Sequence, residues 1–413
     1  MAKCFPLTSE NVEVIRSQFP ALQRKIEGDS PIYLDGPGGT QSPESVILAI
    51  SDYLRGGNSN LGGRFLVSQE TEAIVAKARE GVAALLGASK NEVFFGANMT
   101  SVTFALSRAL CKEWQPGDEV IVTDADHGAN RSSWILAAKD RGVTVHHLPI
   151  VDQQGSLDLD KLDSLLSKRT RLVAITAASN ITGNKTDLET VIEKCRKVGT
   201  KVFVDAVHLL PHQLVDVKAL DVDFLACSAY KFYGPHLGIM YGKAEWLASL
   251  TPYKVAPAPD IAPKRWETGT LNFEALSGVV ATIDYLASLG DGDSLRARLE
   301  SAYDNIHGYE NALADYFLQK LKDVEGAELY GLDSVEGRTA TFALRFGEKD
   351  PAEIAEALGQ RQIYVWSGHL YADRLTDAFG VTEKGGILRV GLMHYNTKEE
   401  IDTFFVALQQ ILA

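Results

Sequence analysis

The 413-residue chain has only four cysteines and four methionines and no long apolar run, and these shortages close off several kinds of protein. No stretch reaches the roughly 18 uninterrupted apolar residues that a membrane-spanning helix needs. The opening residues Met1-Ala2-Lys3-Cys4-Phe5-Pro6 carry no apolar signal core, so a cytoplasmic location is the default expectation. Cys4, Cys111, Cys195 and Cys227 are far apart, form no C-x-x-C pair and have no histidine at ligand spacing. They read as reduced, packed thiols, with neither a disulfide nor a metal centre. A net charge of −13 leaves no basic stripe for phosphates, so neither nucleic acid nor a membrane is an expected partner.

What the chain has is an ordinary soluble composition, 45% hydrophobic and 23% charged, and enough length for two cores. From Tyr33 to Leu250, short apolar runs alternate with longer amphipathic stretches. Val120–Val122, Val143–Val145, Leu172–Ile175, Val202–Val204 and Phe224–Ala226 have strand length and are almost wholly apolar, as strands buried on both faces should be. Ile74, Ala78, Val82 and Leu85 recur at helical spacing behind a candidate cap at Ser68, and Leu188, Ile192 and Cys195 repeat that spacing. The predicted fold class is α/β: a large domain with a mostly parallel sheet between helices, plus a smaller α+β C-terminal domain. The expected boundaries are an N-terminal segment 1–30 packing with the small domain, a large domain 31–290 and a small domain 291–413. In the last, Ala340–Leu344 alternates like a half-exposed strand, and Thr397–Leu412 closes the chain as an amphipathic helix.

In open α/β sheets ligands sit beyond the carboxyl ends of the strands, so the residues after each apolar run are the ones that could do chemistry. After Val202–Val204 come Asp205 and His208; after Phe224–Ala226 comes Ser228-Ala229-Tyr230-Lys231-Phe232-Tyr233-Gly234-Pro235. A carboxylate ending one buried strand and a lysine just past the next is a way to grip pyridoxal 5'-phosphate, the acid keeping the ring nitrogen protonated and the lysine binding it covalently. Ser228 and Tyr230 offer hydroxyls to a phosphate, and Asn98-Met99-Thr100 open a helix whose free N–H groups can do the same. His127 and Asn180 follow other strands of the same predicted sheet.

With these residues in place, the chain resembles the class V aminotransferase family of fold-type I pyridoxal phosphate enzymes, above all cysteine desulfurases and selenocysteine lyases. The resemblance runs from Ile32-Tyr33-Leu34-Asp35-Gly36 to His394-Tyr395-Asn396-Thr397. It implies that Lys231 carries the cofactor, that Asp205 pairs with its ring nitrogen and that His127 stacks on the ring. His208 and Asn180 are implied near the phenolic oxygen, and Asn98, the Met99 backbone, Ser228 and Tyr230 at the phosphate. Thr270 is implied to reach the phosphate of a second subunit, which makes a homodimer the expected unit, and Arg389 to receive the carboxylate of an amino-acid substrate.

One departure matters as much as the match. Desulfurases carry a nucleophilic cysteine shortly after a Gly-His pair; here the stretch reads Gly368-His369-Leu370-Tyr371-Ala372, with tyrosine in its place. Trp366 also stands at a position that is often arginine. A phenol cannot accept sulfur as a persulfide, so the expectation is a C–S lyase working by β-elimination on cysteine or a related sulfur amino acid, with His369 or Tyr371 protonating the leaving sulfur. The alternatives are an epimerase of the isopenicillin N type, a cysteine-sulfinate desulfinase, and a catalytically silent dimer of the same fold.

Overall fold

A computed structural model describes residues 7, 8 and 11–413; residues 1–6, Cys4 among them, and residues 9 and 10 lie outside it. The main sheet has seven strands in the order Val93–Gly96, Gly238–Gly242, Phe224–Ser228, Lys201–Asp205, Thr170–Thr176, Glu119–Thr123, Thr144–Leu148. Only Gly238–Gly242 runs antiparallel to its neighbours. Parallel strands need crossovers, and the helices that supply them cover both faces, so the central strands are buried along nearly their whole length. The same register that pairs Thr176 with Asp205 and Asp205 with Ala226 brings the strand ends to one edge.

Local chemistry fixes the helix boundaries. Asp187 accepts from Thr190 N at 3.0 Å to start Leu188–Val198, and Gly199, at φ 77°, ends it in the left-handed region. Thr397 and Glu400 form a reciprocal capping box on Lys398–Leu412. Ser68, by contrast, is not a cap: Leu66–Leu86 begins two residues earlier, and the Ser68 hydroxyl donates to Asn60 O at 2.6 Å while accepting from Gly63 N, tying the preceding loop to the helix.

The second sheet is antiparallel, Trp366–Gly368, Ile387–Gly391, Thr341–Phe346, Ala327–Tyr330. Its core gathers Leu313, Phe317, Phe342, Leu344, Leu388 and Phe404, with Phe317 stacked on Phe342 at 4.1 Å. Thr341–Phe346 is buried at every residue rather than half-exposed, because neighbouring strands flank it and Arg345 spends its guanidinium on the carbonyls of Lys384 and Gly386. Val12 and Leu34 join this core, whereas Phe19 and Leu22 join the one beneath the large sheet. The helix Leu295–Leu321 serves both, contributing Leu299 and Ile306 to the first and Leu313 and Phe317 to the second. This helix links the two cores, and residues past the large sheet's strand ends meet the small sheet, as where Arg389 reaches Asn180.

Candidate active site

Lys231 sits in the short turn after Phe224–Ser228, its ammonium donating to Pro37 O. Burial lowers its pKa to about 7, helped by the Arg389 guanidinium and opposed by Asp205 and Asp35. At the end of the adjacent strand, Asp205 is 5% exposed and accepts from Val207 N at 2.9 Å. Burial raises its carboxyl to about 6, against the pull of that N–H and of Lys231. Acid and amine therefore feel each other within one desolvated space, where charge is costly and small changes in surroundings set protonation.

Arg389 enters from the second sheet. It is buried, its pKa falls to about 10 by desolvation, and its Nη1 donates to Asn180 O at 2.9 Å while Nε has no partner among the described residues. Asn180 donates from Nδ2 to Leu370 O at 3.0 Å and leaves its buried Oδ1 unpaired. His208 is buried, bonded through Nε2 to the Thr339 hydroxyl at 3.2 Å, and held neutral by desolvation and nearby cations. His127 caps Gly128–Arg141 with Nδ1 accepting from Ala129 N at 3.1 Å; burial and Lys231 lower its pKa to about 4. It is thus a neutral ring, suited to stacking rather than to carrying charge.

The opposite end of the site is a ready anion cradle. Met99–Leu110 begins at Asn98, whose side-chain oxygen already accepts from Ser101 N at 2.8 Å, so this oxygen caps the helix and leaves other N–H groups of the first turn, which runs from buried Met99 to exposed Thr100 and Ser101, for an anion. Any side chain at Gly238 would collide with the Asn98 backbone, so that strand residue has to be glycine for the helix end to sit where it does. Ser228 is buried at the strand end. The Tyr230 ring stacks on His236 at 4.6 Å with Lys231 Nζ 4.8 Å above it. Thr270 is not drawn into this group: it stays exposed past Glu267, which the Arg79 guanidinium clamps at 2.6 Å.

His369 and Tyr371 form the rim, and both are exposed, Tyr371 at 71%. Leu370 and Tyr371 both have positive φ, 49° and 62°, a conformation that costs such residues roughly 1–2 kcal/mol each. The turn is fastened to the large sheet by Gly128 N to Tyr371 O at 2.6 Å, Asn180 to Leu370, Arg131 to Asp373 at 3.0 Å and Arg374 to Asp124 at 3.1 Å. The Tyr371 ring lies 5.4 Å from His127. Cys111, Cys195 and Cys227 are free, buried and outside this segment.

Two acids were given no role from the sequence. Asp35 has a buried oxygen without a partner and a carboxyl raised by burial to about 6, moderated by Arg389 and Lys231. Asp126 is fully buried between Thr123, at 2.6 Å, and Asn130, at 2.8 Å, and desolvation with the neighbouring Asp205 raises it to about 8. Its place after a strand was visible, but nothing local distinguishes it from a turn aspartate.

Residues 32–404 match the aminotransferase class-V family. The chain belongs to that family. It is similar to a cysteine desulfurase of Pectobacterium carotovorum subsp. carotovorum, 33% identical over 97% of this chain and 98% of the relative, and to one of Serratia proteamaculans, 31% identical over 97% and 98%. The crystal structure of the cysteine desulfurase CsdA from Escherichia coli superposes with a TM-score of 0.84 at 30% identity, covering 97% of this chain and 98% of that one. The fold is that of fold-type I enzymes, and this class V chain is a cysteine desulfurase-like, pyridoxal-phosphate-dependent enzyme. The residues present suit that group: an amine and an acid share one desolvated space, the buried Asn180 Oδ1 and Arg389 Nε are unpaired, and an open helix terminus stands ready for phosphate.

Proposed function

We propose that this class V enzyme is a carbon–sulfur lyase that acts on cysteine or a related sulfur amino acid by β-elimination and forms no protein persulfide. The observation that carries the reading is a desolvated Lys231 beside Asp205 and Arg389, facing a rim whose side chains are Tyr371 and His369 instead of a thiol. Bound pyridoxal phosphate supplies the electron sink for negative charge developing at Cα. Lys231 holds it and then takes the α-proton, a task for which an amine near pH 7 is well matched. With the cofactor bound, Asp205 would keep its ring nitrogen protonated, the neutral His127 ring would be the group to stack on it, and Asn180 and His208 would serve its phenolic oxygen. Met99 N–H, Asn98, Ser228 and Tyr230 hold the phosphate, joined by Thr270 of the partner subunit.

Arg389 takes the α-carboxylate through two parallel hydrogen bonds, fixing the substrate so that the Cα–H bond points at Lys231. His369 or Tyr371 delivers a proton to the departing sulfur. The working form is read as a cytoplasmic homodimer. Ile47, Leu48, Leu54, Leu61, Phe65 and Leu66 lie exposed between positions 47 and 66, apolar side chains that a partner subunit would cover.

Product analysis after incubation with cysteine, cystine and cysteine sulfinate tests the reading. Pyruvate with ammonia is the expected result. Alanine with sulfur on the protein would overturn it, alanine with sulfite would point to a desulfinase, and unchanged composition with inverted chirality to an epimerase.

A further inference from the structure

Arg389 and Trp366 are directly opposite each other in antiparallel strands, so their side chains leave the sheet on the same face. Arg389 is buried and reaches Asn180; Trp366 is 50% exposed, an unusual state for so large an apolar ring. Its indole lies against Gly38: a Cβ there would come within 2.5 Å of Nε1, so only glycine lets the ring settle on this backbone. The neighbouring Pro37 carbonyl is the one that accepts from the Lys231 ammonium. The tryptophan therefore borders both anchors that an amino-acid substrate must use, Arg389 across the strand pair and Lys231 through the Pro37-Gly38 backbone, and it is half open to solvent.

Those anchors fix the direction of the rest of the substrate. With the α-carboxylate on Arg389 and the α-amine at Lys231, both in the interior, the substituent on Cβ has to point outward. There it meets the Trp366 indole, with the exposed Tyr371 further along the same segment. A bare thiol would leave most of that aromatic surface wet, whereas a ring carried on the sulfur would cover it. The absence of a cysteine from the rim fits the same substrate, since a thioether departs as a complete thiol and needs no protein sulfur to receive it.

Resting on the lyase reading above, we propose that the substrate class is cysteine S-conjugates whose sulfur bears an aromatic or bulky apolar group, and that Trp366 is the residue that selects them. In the reaction the Cα–H bond yields its proton to Lys231 and the Cβ–S bond breaks with its electron pair going to sulfur, which is protonated. Water then hydrolyses the three-carbon fragment. The sum is R–S–CH2–CH(NH3+)–COO− plus H2O giving R–SH, pyruvate and NH4+, with no oxidant or reductant.

The test compares S-phenyl-L-cysteine with L-cysteine on the holoenzyme, reading pyruvate formation together with deuterium uptake at Cα in heavy water. The expected kcat/KM ratio favours the phenyl conjugate by about tenfold or more. That ratio falls toward one in Trp366→Ala and recovers in Trp366→Phe, in variants that keep the visible band of the lysine-bound cofactor. A preference for cysteine, or a ratio indifferent to Trp366→Ala, overturns the proposal while leaving the lyase reading intact. Should Trp366→Ala not fold, the wild-type ratio and that of Trp366→Phe decide alone. Deuterium uptake without pyruvate from either compound overturns the elimination reading, and the substrate class with it.

Discussion

Asp205, Lys231 and Arg389 stand in the interior, desolvated, each with a pKa displaced from its ordinary value, while Trp366, His369 and Tyr371 stand exposed at the mouth of the same site. Asp205 ends a strand of the large sheet, Lys231 sits in the short turn after the next one, and Arg389 lies within a strand of the small sheet, so regular structure sets the position of each backbone. Of the rim, Trp366 sits in an edge strand, while His369 and Tyr371 belong to a strained turn held by a few hydrogen bonds and ion pairs. The comparison teaches where such an enzyme can change its reaction. Groups that generate negative charge at Cα need low dielectric and rigid placement, and are shared by every branch of the chemistry; groups that meet the side chain can be exchanged at little cost to the fold.

The sharpest way to break this comparison is Lys231→Ala, which is expected to abolish covalent cofactor binding and lower turnover at least about a thousandfold, measured as pyruvate release. Retained turnover would place the chemistry elsewhere. Asp205→Ala comes next, with a loss on the order of 10²–10³-fold in kcat and a lasting change in the cofactor's absorbance, since the ring nitrogen loses the charge that keeps it protonated. Arg389→Lys keeps a positive charge but loses the planar fork; KM is expected to rise about 30-fold, with kcat less affected. A loss confined to kcat would remove Arg389 from carboxylate binding.

Asp126 gives a pH-dependent test. Its folded-state pKa, about 8, lies above the usual carboxylate value, so between about pH 4 and 8 the unfolded chain gives up a proton that the folded one retains. This group's contribution is therefore fully present below about pH 4 and is lost as pH rises through 8. Asp126→Asn keeps the shape without the titration, and denaturant unfolding should show a flatter decline of stability over that window than the parent shows. An identical slope would mean that Asp126 is ionised in the fold. The smallest effect belongs to the rim: Tyr371→Asn, a residue that tolerates positive φ better, is expected to gain roughly 0.5–1 kcal/mol in the same measurement.

Much of this division was legible in the sequence. The apolar runs located the five parallel strands that follow Gly96, and the polar residues after them supplied Asp205, His127, Asn180 and Lys231. The antiparallel strand Gly238–Gly242 was missed because glycine at both ends interrupts the apolar signal. Burial of Thr341–Phe346 was missed because alternation reports local pattern, whereas one of its two flanking strands, Ile387–Gly391, comes from far along the chain. Asp35 escaped for the same reason. Only packing of the two sheets brings it to Arg389 and Lys231, and no spacing within one segment encodes that meeting.

The most direct measurement is the fate of sulfur and nitrogen when the holoenzyme turns over a sulfur amino acid, with Lys231→Ala as control. Pyruvate and ammonia in equal amounts, no sulfur gained by the protein, and none of these products from the variant are what the account predicts. Alanine accompanied by a sulfur-bearing protein, or products undiminished in the variant, would contradict it.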